Sequence, residues 1–330
     1  MTPHPDLLPS FDDIRAAAEV LAGKAVVTPL LESPLLNDRL GFRLLLKPEM
    51  LQKTGSFKFR GAYNRISRIP PAERQRGVVA FSSGNHAQGV AAAARAFGIA
   101  ATIVMPSDAP AIKVSNTRAW GADVILYDRH ADDREAIGAR VAGETGATLV
   151  RPYDDRFVMA GQGTIGLEIL EQAAALGVAL DAVVAPCGGG GMIAGIATAL
   201  GGAIPELPIW AVEPEAFDDT RRSLESGTRL ANVAGARSIC DSLLSPMPGE
   251  LTFAVNRRRL AGACAVSDAE ARQAMATCFE AFKLVAEPGG AVALAAVLTG
   301  RIRPQGGAVA VVCSGGNVDP AEFAAALAVN

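Results

Sequence analysis

Between residues 78 and 226 short β-rich runs alternate with helical patterns, and this alternation leaves the chain few ways to fold. Strands are read at 78–82, 101–105, 123–127, 147–151, 182–186 and 209–213, and helices at 86–97, 110–119, 132–144, 161–176, 191–200 and 218–226. Strands separated by a helix's length of chain cannot pair through a tight hairpin, so they align in parallel, with helices covering both faces. Upstream, Ser10 and Asp13 form a capping-box pattern and Ile14, Ala17, Ala18 and Leu21 one apolar face, which predicts a helix over 11–22. Arg43–Lys47 reads as a strand leading into a loop with a lysine at its end. Residues 228–265, with Pro246, Pro248 and several glycines, read as a loop-rich excursion. It is followed by helices over 267–283 and 289–299, a strand over 308–313 and a helix over 320–328.

Half of the 330 residues are hydrophobic, enough for two domains with their own cores. No linker composition separates two halves, so a second domain has to be inserted in the first. A net charge of −3 gives no basic field for nucleic acid or an anionic membrane. No apolar run is long enough to span a bilayer and no targeting pattern opens the chain, which makes the cytoplasm the expected setting. The five cysteines, 187, 240, 264, 278 and 313, are widely spaced with no C-x-x-C pair, and read as small apolar residues.

Several stretches can carry chemistry. Lys58 stands between Phe57 and Phe59, after a Thr-Gly-Ser turn and before a helical pattern. Removing a lysine from water disfavours the ammonium and makes the amine a nucleophile near neutral pH; the plain alternative is a surface lysine in a first helical turn. Gly188, Gly189, Gly190 and Gly191 follow an apolar strand and open a helix at Met192, so they form either an anion site at a helix N-terminus or a tight turn. No further glycine completes a dinucleotide fingerprint and no P-loop lysine follows.

Ser314, in Ser-Gly-Gly-Asn, ends the last strand, at the sheet edge where ligands of such folds gather. Ser82-Ser83-Gly84-Asn85-His86 reads as a helix N-cap made by Asn85 or Ser83. Glu213 and Asp219 are either a cap pair or hard oxygen ligands. Glu287 is either an acid in the site or a helix N-terminal carboxylate. Arg134, Arg151, Asp154 and Asp155 lie near the junction of the expected domains.

The motifs SFKFRGA, SSGNHAQG, CGGGGM and SGGN, in this order from about Thr28 to the C-terminus, resemble the pyridoxal-phosphate enzymes of the second fold type, in their threonine/serine dehydratase and serine racemase group. The resemblance implies a tryptophan-synthase-β-like fold of two open, mostly parallel twisted sheets. A small domain of 70–152 would be inserted in a large one of 1–69 and 153–330, with the cofactor in the cleft between them.

It further implies Lys58 as anchor and base, Phe57 and Met192 beside the cofactor, the glycine loop on its phosphate and Ser314 at its pyridine nitrogen. Asn85 would touch the phenolic oxygen. Ser82 through His86 would hold the substrate carboxylate, with Ser83 also on the α-carbon face opposite Lys58. A divalent cation (Mg, Mn or Ca) would sit between Glu213, the Phe217 carbonyl and Asp219. The expected activity is elimination of water from threonine, serine or 3-hydroxyaspartate to a 2-oxo acid and ammonia, by a homodimer, with Arg134 or Arg151 meeting a second carboxylate. Racemisation, or phosphate-ligand binding without chemistry, are the alternatives.

Overall fold

The computed structural model describes residues 3–82, 84–129 and 131–328. In chain order its strands are β1 (Leu31–Glu32), β2 (Arg43–Pro48), β3 (Val78–Phe81), β4 (Ala101–Pro106), β5 (Asp123–Tyr127), β6 (Thr148–Leu149), β7 (Leu180–Pro186), β8 (Ile209–Pro214), β9 (Gly262–Val266) and β10 (Ala308–Cys313). They form two sheets, in the orders β1-β2-β10-β7-β8-β9 and β5-β4-β3-β6. Of the strand pairings among the described residues, only the short β1–β2 pair is antiparallel. The four-stranded sheet uses only strands between residues 78 and 149, while the chain before and after supplies the six-stranded one.

Strand β10 shows why a parallel strand is apolar throughout: its two faces meet different helices. Val309 and Val311 join Leu44, Leu46, Val184 and Val212 in the core under the helices Asp268–Phe282 and Pro288–Leu298. Ala310 and Val312 join Val183, Ala185 and Ala211 on the other face, against the helix Gly191–Ala203. Each fully buried valine contributes about 1.5–3 kcal/mol relative to exposure. The helices Arg156–Ala175 and Gly191–Ala203 touch at Gly163 and Gly195, where a Cβ on Gly195 would lie 2.1 Å from the Met159 carbonyl oxygen.

The capping box is present, with the Ser10 side chain accepting from the Asp13 amide and Asp13 from the Ser10 amide. Two expectations need correcting. The excursion at 228–265 contains a helix, Glu250–Arg259, and the edge strand β9, which pairs with β8 from Trp210↔Gly262 to Pro214↔Val266. The helix expected at 161 begins at Arg156, because Asp155 accepts from the amides of Phe157 and Val158. Its neighbour Asp154 caps the other helix, accepting from Leu251 and Thr252.

Candidate active site

Lys58 opens the helix Lys58–Ser67, whose register is fixed from behind by buried charge. Arg60 donates from Nε and Nη2 to Glu49 at 2.8 Å each, and to Glu168 at 2.5 and 2.9 Å. Lys47 donates to Glu168 at 2.6 Å and to the Thr28 carbonyl at 2.6 Å. In front, Lys58 is half-buried with its Nζ 5.0 Å from the centroid of the Phe57 ring, and it donates to the Pro152 carbonyl at 2.8 Å. Burial lowers its pKa to about 8, against a partial opposing pull from Glu287. The amine is thus partly free base near neutral pH.

The glycine loop lies in the same cleft, at the carboxyl end of β7. Gly190 has φ +90°, and a Cβ there would lie 2.8 Å from Asn256 Nδ2, so both conformation and space require glycine. The loop's carbonyls point away from the cleft: Gly189 O accepts from Thr252 Oγ1 at 2.7 Å and Gly190 O from the Ala194 amide at 3.0 Å. N–H groups at the start of the helix Gly191–Ala203, lacking intrahelical acceptors, are left for an anion. Met192 is buried under the loop and lines the cleft. Ser314 closes the same wall, 3% exposed at the end of β10, and its carbonyl accepts from the Phe57 amide at 3.1 Å. A withdrawn amine, an amide-lined helix start and a buried hydroxyl fit an aldehyde cofactor with a phosphate and a ring nitrogen.

Asn85 departs from the cap reading. The helix Asn85–Ala96 has Gly84 as its N-cap with no side-chain cap bond; the Asn85 amide donates from Nδ2 to Glu287 and accepts at Oδ1 from Asn317 Nδ2 at 2.9 Å. Glu287 likewise makes no side-chain cap bond at the helix Pro288–Leu298 and turns to Asn85 and Lys113 instead. Ser82 lines the cleft and its Oγ accepts from the Gly84 amide at 3.1 Å. Ser83 lies outside the described residues.

His86 is bonded through Nε2 to the Val150 carbonyl at 3.0 Å, so Nε2 carries the proton and Nδ1 is an acceptor, which has no partner among the described residues. Burial, with Lys58 nearby, lowers its pKa to about 3. A neutral His86 cannot serve as a proton-donating acid.

Arg134 lines the cleft with its guanidinium 5.6 Å from the centroid of the Phe81 ring. Arg151 does not line the cleft; it is half-exposed and faces Glu135 at 3.7 Å. Arg129, unremarked in the sequence, lines the mouth instead, steadied by Asp108 at 2.9 Å. Lys113 and Asp241 were missed as well. Their Nζ to Oδ2 bond of 2.7 Å joins positions 128 residues apart, and nothing local in the sequence signals it.

Away from the cleft, Glu213 accepts from the amides of Thr220 and Arg221, at 2.9 and 2.8 Å, and so caps the helix Asp219–Ser226. Asp219 Oδ1 accepts from Asn232 at 2.6 Å, while its buried Oδ2 has no partner among the described residues. Burial raises the pKa of Glu213 to about 8, helped by Asp219, and that of Asp219 to about 6. Among the described residues no group of three or more His, Cys, Asp or Glu side chains is placed to hold a metal ion; this pair supplies two buried carboxylates with one unpartnered oxygen. Phe217 is buried in the turn Glu215–Phe217 between them.

Residues 22–315 match the family described as "Pyridoxal-phosphate dependent enzyme". The chain is 43% identical over 320 residues to an L-threo-3-hydroxyaspartate ammonia-lyase from a Pseudomonas species, covering 97% of this chain and 99% of that one. Among solved structures it is similar to a threonine deaminase from T.th., at TM-score 0.88 and 46% identity over 94% of this chain and 99% of that one. It is also similar to maize serine racemase, at TM-score 0.91 and 36% identity over 97% of each chain.

Proposed function

The chain belongs to the pyridoxal-phosphate dependent enzymes, and within that family we propose that it is an ammonia-lyase removing water from a 3-hydroxy amino acid, with 3-hydroxyaspartate preferred. The observation that carries the reading is the meeting of Lys58, the glycine loop and Ser314 in one cleft whose mouth is lined by Arg129 and Arg134. We read that cleft as the junction of a small domain, 70–152, with a large domain formed by 1–69 and 153–330.

Bound pyridoxal phosphate supplies an aldehyde for the substrate amine and a ring that accepts the electrons freed at the α-carbon. The amides of Gly188, Gly189, Gly190 and Gly191 would hold its phosphate, with Phe57 and Met192 alongside. The Ser314 hydroxyl would face the ring nitrogen, where it cannot protonate as a carboxylic acid would, which favours prompt elimination over a long-lived carbanion. The amides of the loop from Ser82 to His86 would receive the substrate carboxylate. Lys58, whose amine burial makes less basic than an exposed lysine's, would take the proton from the substrate α-carbon. The β-hydroxyl would then leave, the α-proton and the hydroxyl together making up the water eliminated. The released enamine tautomerises to an imine, and hydrolysis gives the 2-oxo acid and ammonia.

Threonine and serine offer an arginine no charge at the β-carbon, whereas 3-hydroxyaspartate offers a carboxylate. A charge-assisted pair is worth about 1.5–3 kcal/mol, or roughly ten- to hundredfold in discrimination. The test is kcat/KM for 3-hydroxyaspartate and threonine in wild type, Arg129→Ala and Arg134→Ala. The reading expects 3-hydroxyaspartate to lead and the lead to shrink in both variants; a threonine lead untouched by either variant would leave an ordinary threonine/serine dehydratase.

Racemisation is the second reading, favoured by the likeness to maize serine racemase, with Ser83 as the proton donor opposite Lys58. Following both 2-oxo acid and D-enantiomer in deuterated solvent separates the two. We further propose a divalent cation (Mg, Mn or Ca) at Glu213, the Phe217 carbonyl and Asp219, and a cytoplasmic homodimer as the working form. Among the described residues no helix is long and apolar enough to cross a membrane.

A further inference from the structure

Lys113 belongs to the helix Ala111–Ala119 beside the four-stranded sheet, yet its side chain is only 2% exposed and ends among residues from the other side of the cleft. Its Nζ donates to Asp241 Oδ2 at 2.7 Å and to Glu287 Oε2 at 3.1 Å. The stem crosses Gly84, where an added Cβ would lie 2.2 Å from Lys113 Cδ. Glu287 uses its other oxygen to accept from Asn85, and Asn317, which donates to Asn85 Oδ1, also donates to the Thr54 carbonyl at 2.8 Å. A continuous polar network therefore runs from Asp241 through Lys113, Glu287, Asn85 and Asn317 to Thr54.

The donor order of the network is set from both ends: the Thr54 carbonyl makes Asn317 a donor to Asn85 Oδ1, and an ionised Glu287 accepts from Asn85 Nδ2. A carboxylate can only accept, so the nitrogen of Asn85 must be the atom turned toward it. Protonated, Glu287 could donate instead, and would then oppose the orientation that Asn317 gives the Asn85 amide from the other side. Burial, the largest influence, raises the pKa of Glu287 above the ordinary carboxylate value, and Lys113 pulls it back only in part. The other ionisable groups acting on this site are Asp241 beside Lys113, Lys58 across the cleft and Cys240 next to Asp241.

We infer that Lys113 is a positioning residue: its ammonium holds and charges Glu287 as an acceptor, and Glu287 holds the Asn85 amide so that its second N–H is available to the ring oxygen of the cofactor. This rests on the reading that the cleft holds pyridoxal phosphate with Asn85 at that oxygen. A donor at the ring oxygen favours its anionic form, so removing the donor raises the oxygen's affinity for a proton.

The experiment loads wild type, Lys113→Met, Lys113→Arg and Glu287→Gln with pyridoxal phosphate and titrates the visible spectrum from pH 6 to 10. In Lys113→Met the spectral midpoint should rise by about one unit or more relative to wild type, a tenfold change in proton affinity. Glu287→Gln should shift it in the same direction, because a neutral amide no longer enforces the orientation of Asn85. Lys113→Arg should restore the wild-type titration. Should Lys113→Met fail to fold, the Glu287→Gln titration decides alone. A variant spectrum that titrates as wild type overturns the inference whatever happens to turnover, whereas a wild-type chain that takes up no pyridoxal phosphate overturns the site reading beneath it.

Discussion

Behind the helix Lys58–Ser67, the buried charges of Lys47, Glu49, Arg60 and Glu168 find opposite charges within 2.5–2.9 Å, and a Thr28 hydroxyl bonds Glu49 at 2.7 Å. In front of it, Lys58 has one carbonyl partner, and His86 Nδ1 and Ser242 Oγ have none among the described residues. Both regions are polar and withdrawn from water. Burying polar groups without partners is costly, so their persistence in the cleft marks a place that something else completes. One helix carries Arg60 into a fully paired cluster of charges and Lys58 into a cleft with a single carbonyl partner.

That contrast is sharpest at these two residues. Lys58→Ala should lower turnover on the order of 10⁴-fold or more, while the unfolding free energy of the cofactor-free protein changes by less than about 1 kcal/mol. Arg60→Met should do the reverse at the level of the fold: it strands Glu49 and half of Glu168, and should cost about 3–5 kcal/mol in urea denaturation. An Arg60→Met protein of wild-type stability would mean the quartet is no frame.

A third comparison separates the cleft from the Glu213 and Asp219 pair, where an orphan oxygen is also present. Chelation should lower the melting temperature and added Mg or Ca restore it, by about 2.7 kcal/mol at a hundredfold excess over Kd. Glu213→Gln with Asp219→Asn should abolish that response. A melting temperature indifferent to chelation would leave Glu213 a helix cap and nothing more.

The smallest effect concerns His86. Its folded pKa of about 3 lies below the 6.5 of an unfolded histidine, so between those values the unfolded chain binds the extra proton. The stability contribution of the neutral ring is therefore complete above pH 6.5 and lost as pH falls toward 3, at up to about 1.4 kcal/mol per pH unit. Urea midpoints at pH 7, 6 and 5 should fall less steeply for His86→Gln than for wild type. Parallel curves would show that the ring already titrates as if exposed.

The alternating strands and helices, the glycine loop and the place of Lys58 at a helix start were legible because each is written in contiguous residues with a period or a turn. Strand β9, Gly-Ala-Cys-Ala-Val, was not, since small residues without a β-branched run carry little strand preference and its order comes from pairing with β8. The helix Glu250–Arg259 was hidden by the prolines before it, and because Thr252 through Asn256 are all buried, with no polar face to reveal a period. Lys113 and Arg129 were illegible for a different reason. A lysine in a helix and an arginine after a strand look solvated until the fold brings Glu287 to the first and the cleft mouth to the second.

The central claim is that Lys58, among the six lysines of the chain, is the one the cleft presents to the cofactor. Reducing the pyridoxal-phosphate-loaded enzyme with borohydride, digesting it and locating the added mass tests that directly. The account expects the mass on the peptide containing Lys58 and on no other, with no labelling in Lys58→Ala. A label on Lys113 or Lys53, or one that persists in Lys58→Ala, would contradict it.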